Sequence, residues 1–167
     1  MQKPKVIIVN EQDEIVGYKT REELNAGDLD KIYRVTALWL TNSKGEILLA
    51  QRKLTKKHDP GKWGPAAAGT LEEGDTYDSN IVNEIWEELG LKDLKLTKAT
   101  KYRVSDYYNY FGQWYTATID KPAGDFIIQE EEVEQVKWFT REELAQELKN
   151  NPQNYLDLSY PLTAFTK

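Results

Sequence analysis

One segment near the middle of the chain, residues 69–91, constrains the fold more than any other. Apolar residues recur every four positions in its second half, at Ile81, Ile85 and Leu89. This spacing is typical of one face of an α-helix. Asp75 or Thr76 can cap the start of the helix, and Gly90 stands where a left-handed C-terminal residue belongs. The pattern predicts a helix over residues 76–89 with one face in the core.

The same helix carries three acidic residues away from its apolar face. Glu84, Glu87 and Glu88 are close enough in sequence to share one side of a helix, where like charges repel each other by roughly a few tenths of a kcal/mol per pair. A hard divalent cation such as Mg²⁺ prefers oxygen ligands and would offset this repulsion. The alternative is an ordinary solvated acidic surface, which is the commoner role of exposed glutamates. These three residues alone do not decide between the two.

Runs of β-branched and aromatic residues on both sides of this helix predict strands. The predicted strands are residues 5–9, 15–18, 34–41 and 46–52, two or three strands between 94 and 119, and residues 133–139. The strands 34–41 and 46–52 are expected to form a hairpin across the turn at residues 42–45. Thr20 can cap a brief helix, and Thr140 carries a capping box for a second one that ends at Asn151. The pattern favours an α+β domain with helices packed on a sheet.

Length and charge restrict the classes of function. A chain of 167 residues suits one domain with a substantial core. Its net charge of −6 argues against nonspecific nucleic-acid binding, which depends on Lys and Arg neutralising phosphates. The absence of cysteine excludes disulfides, thiolate metal sites and a Cys nucleophile. The apolar run at residues 6–9 is too short for a secretory signal or a membrane span, so we expect a cytoplasmic protein without membrane partners.

The segment at residues 69–91 resembles the Nudix box. Seven residues match that motif at the correct spacing, namely Gly69, Glu84, Ile85, Glu87, Glu88, Gly90 and Leu91. Asp75 stands where the motif has Glu, and Asn83 stands where it has Arg. The stretches at residues 35–63 and 132–144 resemble those before and after the box. The resemblance spans nearly the whole chain and implies the Nudix fold, a mixed β-sheet sandwiched between α-helices.

This resemblance implies one Nudix domain over residues 1–167. Residues 1–30 would form an N-terminal hairpin and short helix, residues 31–150 the core, and residues 151–167 a C-terminal extension. The implied activity is that of a Nudix hydrolase, which cleaves a diphosphate bond with Mg²⁺ or Mn²⁺ as cofactor. We expect a small-molecule substrate, first a nucleoside diphosphate derivative and second a prenyl-type diphosphate. A homodimer is a further possibility, because family members are often dimers.

The resemblance also assigns roles to residues of the box. Glu84, Glu87 and Glu88 would be metal ligands, joined by the backbone carbonyl of Gly69. Glu84 and Glu88 are the candidates for the catalytic carboxylates, and Glu84 is the first choice for the base. Outside the box, Glu131 or Glu132 would be a further ligand or base, with a solvated acidic loop as the alternative.

Two departures from the motif lie in its supporting positions. In the family, the arginine is thought to orient the carboxylates by ion pairing, whereas Asn83 carries no charge and has a shorter side chain. Asp75 reaches less far than glutamate, and the two residues either compensate each other or weaken the activity. The alternative function is therefore a degenerate Nudix domain that binds a ligand without turnover.

The chain also resembles the branch that contains isopentenyl diphosphate isomerase and related hydrolases. Arg52 and Lys56 match residues that hold the diphosphate in the isomerase, and Arg103 is a looser candidate. Ordinary surface charge is the alternative for all three. Isomerase activity is the weakest alternative, since Ala68 replaces the catalytic Cys and Thr70 replaces a metal-binding His.

Two further features have mainly structural interpretations. His58 lies alone in a polar loop, where a solvated histidine is the usual case. The aromatic residues Tyr102, Tyr107, Tyr108, Tyr110, Phe111, Trp114 and Tyr115 follow one another between positions 102 and 115. They would stack on a base or cover an apolar substrate tail, although packing is the expected role for most of them.

Overall fold

The computed structural model describes residues 3–25 and 30–166. Its N-terminal part is a hairpin of two antiparallel strands, β1 (Lys5–Val9) and β2 (Ile15–Thr20), which form a sheet of their own. A short helix, α1 (Arg21–Asn25), follows. Thr20 caps it as predicted, because its hydroxyl accepts the N–H of Glu23 at 3.2 Å.

The remaining strands form one seven-stranded sheet. They are β3 (Tyr33–Thr41), β4 (Ile47–Arg52), β5 (Trp63–Gly64), β6 (Ala67–Thr70), β7 (Thr97–Ser105), β8 (Asn109–Thr118) and β9 (Val133–Phe139). Five of them follow the order β5-β4-β3-β8-β7, while β6 pairs with β3 and β9 pairs with β4. The pairing of β3 with β8 is parallel and the other pairings are antiparallel, so the sheet is mixed as predicted.

The alternation of side chains along β3 creates two cores, because successive residues of a strand point to opposite faces. Leu38 and Leu40 belong to one apolar cluster together with Ile81 of α2 (Tyr77–Leu89). Ala37 and Trp39 belong to a second cluster on the other face. The second cluster is covered by α3 (Arg141–Asn150) and α4 (Ser159–Phe165). Helices therefore lie on both faces of the sheet, which confirms the predicted α+β sandwich.

Three elements, β5, β6 and α4, were absent from the sequence-based prediction, and one predicted pairing is smaller than expected. The strands β5 and β6 were not predicted, because the small residues at 64–69 carry no strand pattern. The hairpin of β3 and β4 exists but is limited to two residue pairs, since β4 pairs mainly with β9 and β3 with β6 and β8. The helix α4 lies in the expected C-terminal extension. No helix in the described ranges is long and apolar enough to cross a membrane.

The turn between β1 and β2 is fastened to the main sheet through Asp13, which has a positive φ of 59°. Its carboxylate accepts hydrogen bonds from Arg34 Nε at 2.7 Å, Tyr77 Oη at 2.9 Å and Lys101 Nζ at 2.5 Å. The guanidinium of Arg34 also lies 5.0 Å from the centre of the Tyr77 ring. Two cations and a phenol thus surround one half-buried carboxylate at the docking point of the hairpin.

Candidate functional site

The helix that carries the acidic residues has well-defined ends. Thr76 is its N-cap: the hydroxyl accepts the N–H of Ser79 at 3.0 Å, and the Ser79 hydroxyl oxygen accepts the N–H of Thr76 at 2.9 Å. Gly90 ends the helix in the left-handed conformation with φ of 69°. Of the two predicted capping residues, the structure therefore selects Thr76 and leaves the carboxylate of Asp75 available for other contacts.

The carboxylate of Glu84 lies directly against the backbone of Gly69 in β6. A Cβ atom at position 69 would overlap the Glu84 side chain, so only glycine permits this approach. One turn further along α2, the Glu88 carboxylate accepts the backbone N–H of Ala68 and shares a hydrogen bond with Glu84. The structure thus brings Glu84, Glu88 and Gly69 together, as the sequence predicts.

The electrostatics of this pair are unusual for carboxylates. Burial raises the pKa of Glu84 above its ordinary value, and the negative charges of Glu87 and Glu132 raise it further. Burial also raises the pKa of Glu88, together with its hydrogen bond to Glu84. A hydrogen bond between two carboxyl groups requires a proton on one of them. The charge of Arg21 lowers the pKa of Glu84 without overcoming these effects, so the pair is short of positive charge.

Glu132 lies near the Glu84–Glu88 pair. From the sequence, a position in a solvated acidic loop was the alternative to a role in the site. Its negative charge acts on both Glu84 and Glu88. Its carboxylate also accepts a hydrogen bond from Lys56 Nζ at 2.5 Å. Lys56, predicted to bind substrate, is therefore held beside the acidic residues through Glu132.

Glu87 is placed differently from its two neighbours. Its side chain is exposed, whereas those of Glu84 and Glu88 are half-buried. Within residues 3–25 and 30–166, no three His, Cys, Asp or Glu side chains are grouped closely enough to hold a metal ion. The structure brings two of the three predicted carboxylate ligands together, and metal ligation by any of the predicted residues stays a prediction.

The supporting network of the box differs in detail from the predicted one. Asp75 accepts the backbone N–H of Glu72 at 2.9 Å and the Nδ2 of Asn80 at 3.3 Å. Asn83, predicted together with Asp75 to be a supporting residue of the box, is exposed and makes no side-chain hydrogen bond with any described residue. The amide that contacts Asp75 thus belongs to Asn80, which the sequence analysis did not single out.

The two predicted arginines bind elements of the protein itself. Arg52 donates hydrogen bonds from Nε and Nη2 to the carbonyl of His58, at 3.0 and 2.8 Å. Arg103 forms a two-pronged ion pair with Glu11 of the N-terminal hairpin, at 3.1 and 2.9 Å. Substrate binding by Arg52 stays a prediction, while the contact to Glu11 supports a structural role for Arg103.

Most of the predicted aromatic cluster takes part in packing. Tyr102 stacks on Trp114 with ring centres 6.0 Å apart, and Tyr115 is buried in the core under α2. Tyr108 donates a hydrogen bond to Asp59 at 2.7 Å, which connects the β7–β8 turn to the loop after β4. Tyr107 is 82% exposed. A role in base stacking stays a prediction for the less buried members.

The chemistry of these donors fits a hard divalent cation. Carboxylate oxygens of Glu84 and Glu88, with the nearby Glu132, are the ligands that Mg²⁺ prefers. Burial and the negative charge of Glu132 raise the pKa of both carboxyl groups, and a bound cation would supply the opposing positive charge. Glu84 and Glu88 are therefore the residues that would hold such an ion.

Comparison with known proteins agrees with the motif and the fold. The NUDIX domain family model matches residues 31–158. An uncharacterized Nudix hydrolase of Pseudomonas aeruginosa is 34% identical over 142 residues, which cover 83% of this chain and 79% of that protein. The chain therefore belongs to the Nudix family and is a hydrolase.

Solved structures show the same fold. DR0079 from Deinococcus radiodurans superposes with a TM-score of 0.82 at 23% identity, covering 95% of this chain and 97% of that one. The NUDIX domain of Shewanella oneidensis NrtR, solved in complex with ADP ribose, superposes with a TM-score of 0.57 at 19% identity over 76% and 87% of the two chains. The branch close to isopentenyl diphosphate isomerase stays a prediction.

Proposed function

We propose that this Nudix hydrolase uses Mg²⁺, with Mn²⁺ as a substitute, to cleave a diphosphate bond in a nucleoside diphosphate derivative. The observation that carries the proposal is the half-buried Glu84–Glu88 pair, which lies against Gly69 and is short of positive charge. Buried carboxylates that lack a cationic partner are costly for stability, and a functional site is the usual reason for keeping them.

Each residue of the site has a defined task in this proposal. Glu84 and Glu88 hold the cation, together with Glu87 and the carbonyl of Gly69, and Glu84 accepts a proton from the attacking water. The bound ion supplies charge neutralisation of the phosphate oxygens. Lys56 leaves Glu132 to bind a phosphate oxygen, and Arg52 leaves the His58 carbonyl to bind a second one with its planar fork of donors.

A nucleoside diphosphate derivative is the first substrate candidate for two reasons. The fold accommodates such a ligand in a structural neighbour, the NrtR domain in complex with ADP ribose. The sheet of this chain also presents half-buried tyrosines, Tyr33 and Tyr110, whose rings lie 5.5 Å apart and offer a surface for a base. A prenyl-type diphosphate is the second candidate, and a cytoplasmic location is part of the same proposal.

The proposal is tested by a hydrolysis screen. ADP-ribose, other nucleoside diphosphate derivatives and a prenyl diphosphate are incubated with the intact chain and Mg²⁺, Mn²⁺ or EDTA, and the products are separated by chromatography. We expect at least one compound to be cleaved with Mg²⁺ and none with EDTA. Cleavage in ¹⁸O-labelled water then identifies the phosphorus that is attacked.

Matched variants separate the activity of the site from contamination. Glu84→Gln and Glu88→Gln keep the size of the side chain and remove its charge, so turnover should be lost. Glu142→Gln changes an exposed acid of α3 and should leave turnover unchanged. Metal-independent cleavage, or equal activity in Glu88→Gln and the native chain, would contradict the proposed function.

A further inference from the structure

One polar side chain of α2 is buried in the core. Asn80 is only 3% exposed, and the next residue along the helix is the apolar Ile81. Burying an amide is unfavourable unless its donor and acceptor find partners. Asn80 has both: its Oδ1 accepts the hydroxyl of Thr36 at 2.6 Å, and its Nδ2 donates to Asp75 Oδ2 at 3.3 Å.

The two partners of Asn80 lie on the two backbone segments that border the acidic pair. Thr36 of β3 is directly opposite Gly69 of β6 in the antiparallel pairing. Asp75 belongs to the loop between β6 and α2, and it fixes that loop by accepting the N–H of Glu72 at 2.9 Å. Asn80 therefore connects the strand, the loop and the helix through one amide group.

Asn80 also lies one helical turn before Glu84. Residues four apart on an α-helix share a face, so the turn that Asn80 fastens to β3 is the turn that presents Glu84 to Gly69. The Glu84 carboxylate lies so close to Gly69 that no Cβ would fit at that position. A small movement of α2 relative to β6 therefore displaces the carboxylate.

We propose that Asn80 is a positioning residue of this site, which holds α2 at the distance from β6 that Glu84 and Glu88 need to bind the cation. It performs the task that an ion-pairing residue at position 83 would have in the box, since Asn83 is exposed and makes no side-chain hydrogen bond in the described chain. This inference rests on the proposed function of the Glu84–Glu88 pair.

The test measures Mn²⁺ binding to the intact chain by electron paramagnetic resonance, which needs no substrate. Asn80→Leu removes both hydrogen bonds at similar volume, and Thr36→Val removes only the hydroxyl. The matched control is Thr166→Val, because the Thr166 hydroxyl accepts a buried hydrogen bond from Trp39 at 3.1 Å in the cluster on the other face of the sheet. Loss of a supporting partner typically weakens metal binding about 10- to 100-fold.

We expect the dissociation constant for Mn²⁺ to rise by that factor in Asn80→Leu and by a smaller factor in Thr36→Val, while Thr166→Val stays within about twofold of the native chain. Asn83→Ala should also stay within about twofold. A urea titration confirms that each variant is folded. If Asn80→Leu does not fold, the nearly isosteric Thr36→Val carries the test.

Two results would overturn the inference in distinguishable ways. Native Mn²⁺ affinity in folded Thr36→Val and Asn80→Leu, with loss of binding in Glu84→Gln and Glu88→Gln, would remove Asn80 from the site and leave the proposed function intact. Native affinity in Glu84→Gln and Glu88→Gln would refute both, because Asn80 would then have no metal ligand to position.

Discussion

The carboxylate of Asp13 and the Glu84–Glu88 pair are both removed from full solvent contact, but their surroundings are opposite. Burial alone raises the pKa of Asp13, yet hydrogen bonds from Lys101, Arg34 and Tyr77 outweigh it and hold the pKa below its usual value. Around Glu84 and Glu88 the strongest influences are burial and further acids, so their pKa values rise.

This difference separates a structural charge from a functional one. Asp13 has its cations built into the protein, and it fastens the N-terminal hairpin to the sheet. Glu84 and Glu88 have no cation bonded to them among the described residues, and burial raises the pKa of both. A half-buried acid with its own cation stabilises the fold, whereas one without a cation is prepared to receive one from solution.

The largest expected effect is a loss of activity that occurs at the Glu84–Glu88 pair and not at Asp13. Glu88→Gln removes a ligand charge, and losing about 4 kcal/mol of transition-state stabilisation corresponds to about 10³-fold lower kcat/KM. Asp13→Asn should leave kcat/KM unchanged. Both are measured on the compound that the hydrolysis screen identifies, and equal losses in the two variants would remove the distinction.

A second change tests the close approach of Glu84 to β6. Gly69→Ala introduces a Cβ into the volume of the Glu84 carboxylate, which must move away. A displacement of about 1 Å costs about 10²-fold in turnover. Gly124→Ala is the control, since a Cβ there meets no atom within 4 Å. Full activity in Gly69→Ala would show that the contact does not matter for catalysis.

The third prediction concerns stability and concentrates on Asp13. Asp13→Asn leaves Arg34 and Lys101 without their carboxylate and should lower the free energy of unfolding by about 2 kcal/mol at pH 7. Because the folded pKa of Asp13 is depressed, this stabilisation is present above its unfolded value of 3.8 and is lost as pH falls through the folded value. Urea titrations at pH 7 and pH 3 should therefore show a smaller difference at the lower pH.

The smallest effect links pH to metal binding. The raised pKa of Glu84, to about 7, means that a bound cation must displace a proton below that pH. Mg²⁺ should therefore stabilise the chain against urea by about 1 kcal/mol more at pH 8 than at pH 6. A stabilisation that is independent of pH, or that is larger at pH 6, would contradict the raised pKa of Glu84.

The sequence predicted those features of the acidic site that depend on the spacing of residues along the chain. The helix pattern at Ile81, Ile85 and Leu89 and the position of Gly90 fixed α2 almost to the residue. The motif also identified Glu84, Glu88 and Gly69, and the structure explains the glycine through its contact with Glu84.

The contacts around Asn80 and Asp13 could not be predicted, because they depend on which strands become neighbours in the sheet. The link from Thr36 through Asn80 to Asp75 joins residues up to 44 positions apart, and no local pattern indicates such a contact. The sequence did offer one indication of a buried role for Asn80: this polar residue directly precedes Ile81, which lies on the apolar face of the helix. Similarly, the cations around Asp13 come from β3 and β7, which only the sheet topology brings to the hairpin turn.

Cation binding by Glu84 and Glu88 can be observed in a crystal structure of the chain grown with saturating Mn²⁺ and measured at the manganese absorption edge. We expect an anomalous peak about 2.1 Å from carboxylate oxygens of Glu84 and Glu88, and none at Asp13. Carboxylates of Glu84 and Glu88 that remain hydrogen-bonded to each other, with no peak beside them, would contradict it.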